Sequence, residues 1–369
     1  MRACYCGPRR PVKLLPGRAA SLHARARRPT IGEDGAYPGT PEKGATMART
    51  HDMGGRADAG PINHAEHQLD DWELLAEAVS GALGAKGIRR TDESRRVQED
   101  LPPDVYRSLA YYERWTAGAE AILIEKGLLT RAEIDARAAA LAKRWGGQAT
   151  GHADHDGHDH GPNGAAHPGV QADAPPNPYA LRIRAIAALL VEKGILTQDD
   201  IQRQLDYMEA RSPADGARIV ARAWVDPAYK ARLLADPKAA CAELGVDASS
   251  IPQLVVLENT DQQHHLVVCT LCSCYPRPIL GRPPDWYKSF NYRSRAVLEP
   301  RAVMAEFGFD CPPDVEVRVH DSTADVRYLV LPQRPAGTDH LSEAGLARLV
   351  TRDSMIGVSN PLPQPVAAG

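Results

Sequence analysis

The sequence predicts an α+β fold, with helices in the N-terminal part of the chain and strands in the C-terminal part. Apolar residues recur at helical spacing from about residue 70 to 149, as in "YYERWTAGAEAILIEKG", and again from about residue 178. Beyond about residue 250, "VEVRVHDS" and "VRYLVLP" alternate apolar and polar residues, while "LVVLEN" and "HLVVC" have the apolar character of buried strands. A helical domain and a helical arm therefore precede a domain that contains strands.

Residues 1–46 are rich in Arg, Pro and Gly and lack the apolar segment that a signal peptide requires. We expect this segment not to fold. It is interpreted either as an organellar transit peptide or, as we prefer, as an extension upstream of a true start of translation at Met47. Neither interpretation changes a candidate functional residue.

Two similar stretches, "AILIEKGLLTRAEI" and "ALLVEKGILTQDDI", occur in the helical domain and in the helical arm. In each, a glycine can end a helix in the left-handed conformation and a threonine can cap the next helix. Each stretch therefore predicts a helical hairpin, and either duplication or convergent helix signals explain the likeness. The residues concerned are Gly127 and Gly194, followed by Thr130 and Thr197.

A polar segment, residues 150–177, separates the helical domain, residues 47–149, from residues 178–369. It is rich in Gly, Pro, His and Asp and cannot bury enough apolar surface to order itself. We interpret it as a flexible linker between two once-separate polypeptides, with loose binding or delivery of a divalent metal as the alternative. Its histidines are His152, His155, His158, His160 and His167.

The composition is that of a globular protein whose function comes from specific sites. The 369 residues are 43% hydrophobic and 25% charged, which is enough for one or two apolar cores. The net charge of -3 argues against a general nucleic-acid binder, and no apolar stretch is long enough to span a membrane. The scattered cysteines do not resemble an extracellular disulfide framework, so we expect a cytoplasmic protein.

Three of the seven cysteines, Cys269, Cys272 and Cys274, fall within six positions after a predicted strand. A C-x-x-C pair is typical of a redox site or of half a zinc site, but no second pair of cysteines follows, which disfavours zinc. On one tight turn, the amide nitrogens of Ser273 and Cys274 can complete a planar set of donors that suits a low-spin trivalent ion. The spacing alone does not decide between these kinds of site.

The segment "VCTLCSCYPRPILGRPPDWYKSFNYRSRAVLEPRAVMAEFG" resembles the metal-binding subunit of nitrile hydratases (alpha) and thiocyanate hydrolases (gamma). The likeness continues in "GARIVARAWVDPAYKARLLAD", "RPAGT" and "LVTRDSMIGV". From about residue 49 to 137, "HDMGG" and "DESRRVQEDLPPDVYRSLAYYERW" resemble the N-terminal half of the beta subunit of these enzymes. The chain thus resembles a fusion of the two subunits, which implies a layered α/β metal-binding domain after the helical part.

The resemblance implies a cobalt(III) centre, with iron(III) as the less favoured metal because Thr270 is typical of cobalt members. Its ligands would be the sulfurs of Cys269, Cys272 and Cys274 and the backbone amides of Ser273 and Cys274. In the family the second cysteine is oxidised to sulfinate and the third to sulfenate, which would be Cys272 and Cys274 here.

The resemblance also implies catalytic roles for residues of the beta-like segment. Arg95 falls on the arginine that hydrogen-bonds the oxidised sulfurs, and Tyr111 falls on a tyrosine near the substrate pocket. The metal would act as a Lewis acid on a bound C≡N group or on a water molecule. The sulfenate oxygen of Cys274 would act as nucleophile or base toward the carbon.

The residue that bears most on the substrate is Arg277, in "YPRP", where nitrile hydratases usually have "YPWP". An arginine there resembles thiocyanate hydrolases and favours an anionic substrate, and Arg96 would add to the positive field. Arg282 points the same way or faces solvent. The sequence therefore favours hydrolysis of thiocyanate to carbonyl sulfide and ammonia, with hydration of neutral nitriles to amides as the alternative.

Two departures from the family pattern bear on completeness. "SSIPQ" replaces the usual Gln-Gly-Glu-Tyr run, with Ser250 at the glutamine position, and the C-terminal barrel of the beta subunit is absent. We expect a separate barrel-like subunit, hence a hetero-oligomer. A further alternative is a non-catalytic assembly or metal-delivery protein; a metallochaperone is also a possible partner.

Overall fold

The computed structural model describes residues 52–56, 59–148 and 177–363 of the chain. Within these ranges, sixteen helices and four strands form an α+β fold, as the sequence predicts. The proposed extension at residues 1–46 and the five linker histidines lie outside the described residues. The proposed domain boundaries at residues 46, 149 and 177 therefore stay predictions.

The described residues before position 149 form helices and no strand. These helices are α1 (Asp71–Ala85), α2 (Thr91–Glu99), α3 (Pro103–Ser108), α4 (Tyr111–Glu125) and α5 (Arg131–Gln148). Five more helices begin the second region: α6 (Pro178–Glu192), α7 (Gln198–Glu209), α8 (Pro213–Val225), α9 (Pro227–Ala235) and α10 (Pro237–Glu243).

Strands and short helices form the rest of the second region. Its elements are β1 (Gln253–Glu258), β2 (Gln263–Val268), α11 (Arg277–Leu280), α12 (Asp285–Lys288), α13 (Phe290–Leu298), α14 (Pro300–Glu306), β3 (Glu316–Asp321), β4 (Val326–Leu331), α15 (Glu343–Ala347) and α16 (Arg352–Ile356).

The two predicted helical hairpins are confirmed as α4–α5 and α6–α7. Gly127 and Gly194 have φ angles of 66° and 65°, in the left-handed region that a side chain disfavours. The hydroxyl of Thr197 accepts a hydrogen bond from the amide of Asp200, whose carboxylate accepts one from the Thr197 amide. This reciprocal cap begins α7 at the position that the sequence indicates.

One apolar core contains residues from both sides of the linker. Leu83 in α1 and Leu123 in α4 belong to the same buried cluster as Ile183 and Leu190 in α6. Each such side chain stabilises the fold by about 1.5–3 kcal/mol when fully buried. The arm formed by α6 and α7 is therefore held by packing against α1, α4 and α5.

The strands form two parallel pairs, β1 with β4 and β2 with β3. Val268, the last residue of β2, is paired with Asp321, the last residue of β3. Parallel strands end at the same edge of a sheet, so the turn after β2 emerges beside the carboxyl end of β3. This turn begins with Cys269.

A second apolar core surrounds this turn and includes Trp286, Tyr292 and Cys269. Gly357, after α16, has a φ angle of 89°, and its Cα faces the backbone of His265 in β2 so closely that a β-carbon would overlap it. A glycine is therefore required where the end of the chain crosses β2.

None of the helices in the described ranges combines the length and the apolar character that a membrane span requires.

Candidate metal centre

Three cysteine side chains converge in the turn after β2. The sulfurs of Cys269 and Cys272 are 3.4 Å apart, those of Cys272 and Cys274 are 3.3 Å apart, and all three lie within 4.8 Å of one another. Cys269 and Cys274 are buried, and Cys272 is half-buried. In the described part of the chain, this is the one group of three or more His, Cys, Asp or Glu side chains placed to hold a metal ion.

Hydrogen bonds to the backbone of the turn and to the Thr270 hydroxyl hold the turn in place. The Asp321 carboxylate accepts hydrogen bonds from the Thr270 amide at 3.0 Å and from the Thr270 hydroxyl at 2.5 Å. Buried Arg293 donates to the carbonyl oxygens of Cys269 and Thr270, at 3.2 and 2.8 Å. The Met53 amide donates to the same Thr270 oxygen at 3.1 Å. The beta-like segment thus contacts the cysteine turn from its first described residues.

The donor set fits a metal with right-angled coordination better than a tetrahedral one. With metal–sulfur bonds of about 2.3 Å, sulfurs lie about 3.3 Å apart at right angles and about 3.8 Å apart at tetrahedral angles. The two separations that involve Cys272, 3.4 Å to Cys269 and 3.3 Å to Cys274, match the first value. Within the described residues, neither the Ser273 nor the Cys274 amide donates a hydrogen bond, so both nitrogens are available as further ligands.

Arg95 in α2 reaches the sulfurs from the beta-like segment. Its Nη2 lies 3.3 Å from the Cys274 sulfur and 3.7 Å from the Cys272 sulfur. Its Nε is buried and has no hydrogen-bond partner among the residues that the structure describes. Hydrogen bonds from the neighbouring thiols and the charges of Arg95 and Arg293 hold the pKa of Cys272 well below that of an ordinary thiol. Cys272 therefore favours thiolate, the form that binds metals, whereas the pKa values of Cys269 and Cys274 are raised.

Tyr111, the first residue of α4, lies on the other side of the turn. Its hydroxyl is 2.6 Å from the Ser273 hydroxyl, and Nη2 of Arg277 lies 3.5 Å from the same tyrosine oxygen. Burial raises the pKa of Tyr111, which keeps its hydroxyl protonated at neutral pH. Since Arg277 can only donate, Tyr111 is left to donate its proton toward Ser273.

The sequence interpretation missed the partner of Arg277. Glu77 in α1 accepts hydrogen bonds from Arg277 and, at 2.6 Å, from Nε of Arg282. Burial alone would raise the pKa of Glu77, but the two guanidinium groups lower it below its ordinary value. Glu77 therefore offsets part of the predicted positive charge of Arg277, because it is shared with Arg282. A charged residue between the buried Ala76 and Ala78 was the one sequence signal for this ion pair.

Arg96 lies apart from the other predicted site residues, which corrects the expectation that it adds to the field of the pocket. Its guanidinium is exposed and pairs with Asp100 and Glu125. Successive helical residues point about 100° apart, so Arg95 and Arg96 cannot share one direction. The face of α2 that lines the cavity consists of Thr91, Ser94, Arg95, Gln98 and Glu99.

A cavity of about 290 Å³ opens over the cysteine turn. Its walls come from α1, α2 and α4, from Gln204, Tyr207 and Met208 around α7, and from the cysteine turn itself. The Arg277 guanidinium lies 5.2 Å from the centre of the Trp115 ring, which forms part of the wall. Ser250 is exposed, ahead of β1, and is not among the residues that line the cavity.

The matches to known families fall on the two regions of the chain that together form the site. Residues 177–359 match the model of the nitrile hydratase alpha chain, and residues 47–166 match that of the N-terminal part of the nitrile hydratase beta subunit. Both families are thus represented among the residues around the cavity.

Three relatives show the same division. The low-molecular weight cobalt-containing nitrile hydratase subunit alpha of Rhodococcus rhodochrous is 54% identical over 199 residues, which are 53% of this chain and 96% of that protein. The thiocyanate hydrolase subunit gamma of Thiobacillus thioparus is 45% identical over 190 residues, 48% of this chain and 78% of that protein. The thiocyanate hydrolase subunit beta of the same organism is 35% identical over 95 residues, 26% of this chain and 60% of that protein. The chain therefore belongs to the nitrile hydratase family and joins an alpha-chain region and a beta N-terminal region in one polypeptide.

Proposed function

We propose that this chain is an enzyme subunit that adds water to a C≡N bond at a cobalt(III) centre. The ligands would be the sulfurs of Cys269, Cys272 and Cys274 and the amide nitrogens of Ser273 and Cys274. The observation that carries the proposal is that Arg95 reaches the cluster of three cysteine sulfurs, 3.3 Å from that of Cys274. The sulfurs and the guanidinium come from two regions that match the separate alpha and beta subunits of family members.

A bound trivalent cobalt ion would supply Lewis acidity toward the nitrogen of the C≡N group or toward a water molecule. Thr270 and the names of the cobalt-containing relatives support cobalt over iron. Amide-ligated trivalent ions exchange their ligands slowly, so we expect about one cobalt per chain that resists chelators. Zinc that a chelator removes readily would contradict this assignment.

Oxidation of Cys272 to sulfinate and of Cys274 to sulfenate belongs to the same proposal. In the described part of the chain, the buried Nε of Arg95 has no hydrogen-bond partner, and an oxygen atom on either sulfur would provide one. Mass spectrometry of the cysteine peptide should find two added oxygen atoms on Cys272 and one on Cys274.

The side chains around the turn would then have different roles in the reaction. Arg95 would donate to the sulfur oxygens and hold them in position. The sulfenate oxygen of Cys274 would attack the C≡N carbon or take a proton from water. Tyr111, which is protonated, would donate a hydrogen bond within the cavity rather than act as a base.

The favoured substrate is thiocyanate, which with two water molecules gives carbonyl sulfide, ammonia and hydroxide. The cavity is lined by more arginines than carboxylates, and such a balance attracts a small anion. These arginines are Arg89, Arg95, Arg114, Arg277, Arg293 and Arg327, and the carboxylates are Glu77 and Glu99.

Hydration of neutral nitriles to amides remains a second candidate for a specific reason. Glu77 offsets the charge of Arg277, the residue that most resembles thiocyanate hydrolases. The alpha-type nitrile hydratase relative is also more similar to this chain than the thiocyanate hydrolase subunit gamma, at 54% against 45% identity.

A separate subunit that resembles the beta C-terminal barrel would complete the enzyme. The deciding experiment is purification of the chain with that subunit, analysis of the bound metal, and parallel assays with thiocyanate and with a small aliphatic nitrile. Carbonyl sulfide from thiocyanate supports the first candidate, and amide formation alone supports the second. A folded pair of subunits that holds cobalt and acts on neither substrate would leave an assembly or metal-delivery role.

In the same assays, Arg277→Trp should raise the KM for thiocyanate more than it lowers kcat, because the arginine attracts substrate and transition state alike. It should also improve turnover of neutral nitriles. Unchanged kinetics with both substrates would mean that Arg277 does not select the substrate.

A further inference from the structure

The arginines that line the cavity differ in what compensates their charge. The positive charges of Arg95 and Arg293 lower the pKa of Cys272, and that of Arg327 opposes the rise in the pKa of Cys274. Arg277 is paired with Glu77. Arg114 is buried and lies over the rings of Tyr106 and Phe290, 4.9 and 5.1 Å from their centres. These cations are therefore already engaged by the cysteines, by a carboxylate or by aromatic rings before a substrate enters.

Arg89 is engaged differently. Its Nε donates to the backbone oxygen of Ser80 at 3.1 Å, and its Nη1 donates to the Ser94 hydroxyl at 2.5 Å. Neither acceptor carries a charge. Among residues 52–56, 59–148 and 177–363, Arg89 forms no ion pair; nearby Glu93 is bound to Lys126 at 2.8 Å.

The surroundings of Arg89 make its charge costly. Burial and the neighbouring positive charge of Arg277 together lower the pKa of Arg89 to about 10, and the charge of Glu93 opposes this only in part. The guanidinium stays charged at neutral pH, but the described residues provide no ion-pair partner of the kind that usually accompanies a buried cation. The group lines the same cavity as the cysteine turn, so a small anion can reach it.

We propose that Arg89 is the residue that binds the negative charge of an anionic substrate in this cavity. The geometry of its uncharged partners holds the guanidinium in place, and thiocyanate would supply the missing charge. This inference rests on the proposed function and refines it: Arg89 supplies the uncompensated charge for the anion, in addition to the partly offset charge of Arg277. Arg89 acts on binding and has no part in the chemistry at the sulfurs.

The test is binding of thiocyanate to the full cobalt-loaded chain, measured by calorimetry, for the parent and for Arg89→Gln, Arg89→Lys and Arg90→Gln. A hydrogen bond to a charged group contributes about 1.5–3 kcal/mol, so Arg89→Gln should weaken thiocyanate binding by roughly 10- to 100-fold. Arg89→Lys, which keeps the charge, should recover most of the affinity. Arg90→Gln removes the same charge from an exposed neighbour outside the cavity lining and should change nothing.

Binding of neutral butyronitrile should stay the same in all four proteins. Thiocyanate affinity within twofold of the parent in Arg89→Gln, or equal weakening of both ligands, would overturn the proposal. A second measurement needs no variant: saturating thiocyanate should protect Arg89 from phenylglyoxal, as read by peptide mass spectrometry, and undiminished labelling would also overturn it. Carbonyl sulfide formation tests the proposed function separately, because binding through Arg89 does not require turnover.

Discussion

The ion pair between Glu77 and Arg277 links the two family regions inside the protein, and a double-mutant cycle measures its strength. The changes are Glu77→Gln and Arg277→Met, singly and together. Glu77 is 5% exposed and Arg277 is 20% exposed, so both charges are largely removed from water. Loss of one partner should therefore cost more than loss of both.

The magnitude follows from the contacts. Two unit charges 4 Å apart attract by about 4 kcal/mol at an effective dielectric constant of 20, before the cost of desolvation. Removing one partner of a buried pair typically costs about 3–5 kcal/mol when the other is left alone. In Arg277→Met, Glu77 keeps Arg282 at 2.6 Å, so we expect a smaller loss of about 2 kcal/mol in the free energy of unfolding. The coupling energy should be about 1–2 kcal/mol.

The assay is urea denaturation of the four proteins, followed by circular dichroism. A matched control is the same cycle on Arg96 and Glu125, whose side chains are 48% and 49% exposed and which should couple by less than about 1 kcal/mol. Additivity of Glu77→Gln and Arg277→Met within about 0.5 kcal/mol would refute the argument that Glu77 offsets the charge of Arg277.

Three further changes test the site and the core. Cys274→Ser should give a folded chain without activity, checked by circular dichroism and a C≡N hydration assay; an undiminished rate would remove the sulfenate from the mechanism. Gly357→Ala should cost at least about 4 kcal/mol of unfolding free energy, because its β-carbon would overlap the His265 backbone at a positive φ; a loss below about 1 kcal/mol in urea denaturation would contradict this. Burial lowers the pKa of His320 from 6.5 to about 4, so the unfolded chain binds this proton first as the pH falls. The free energy of unfolding should therefore fall by at most about 3 kcal/mol as the pH is lowered from about 6.5 to about 4, and His320→Gln should reduce this loss. An unchanged dependence of stability on pH in the variant would show that His320 does not contribute.

Local signals in the sequence were sufficient for the helices and for the cysteine turn. Gly127 and Gly194 end helices through their own backbone conformation, which depends on neighbours in the chain and not on distant contacts. The cysteine turn was placed at the end of a strand because the apolar run "HLVVC" stops there. The roles of Arg95 and Tyr111 came from resemblance, and the structure brings both beside the turn.

Long-range charge pairing could not be predicted in the same way. Glu77 and Arg277 are 200 positions apart, and nothing in either local pattern identifies the other as its partner. The error over Arg96 has a different origin, since the direction of a side chain depends on which face of α2 is buried. Buried Val97 and the cavity-lining Ser94 and Gln98 fix that face, but only the folded neighbours show it.

The core shared by α1, α4 and α6 affects whether the site stays assembled at low protein concentration. When the sulfurs and the guanidinium are on separate chains, the site forms only at subunit concentrations above the dissociation constant of the two chains. Here Arg95 and Cys274 are covalently connected, so their effective concentration is set by the chain and can reach the millimolar range regardless of expression level. This part of the site should therefore persist at protein concentrations where a two-chain version would dissociate, and only the contribution of a further subunit would depend on concentration.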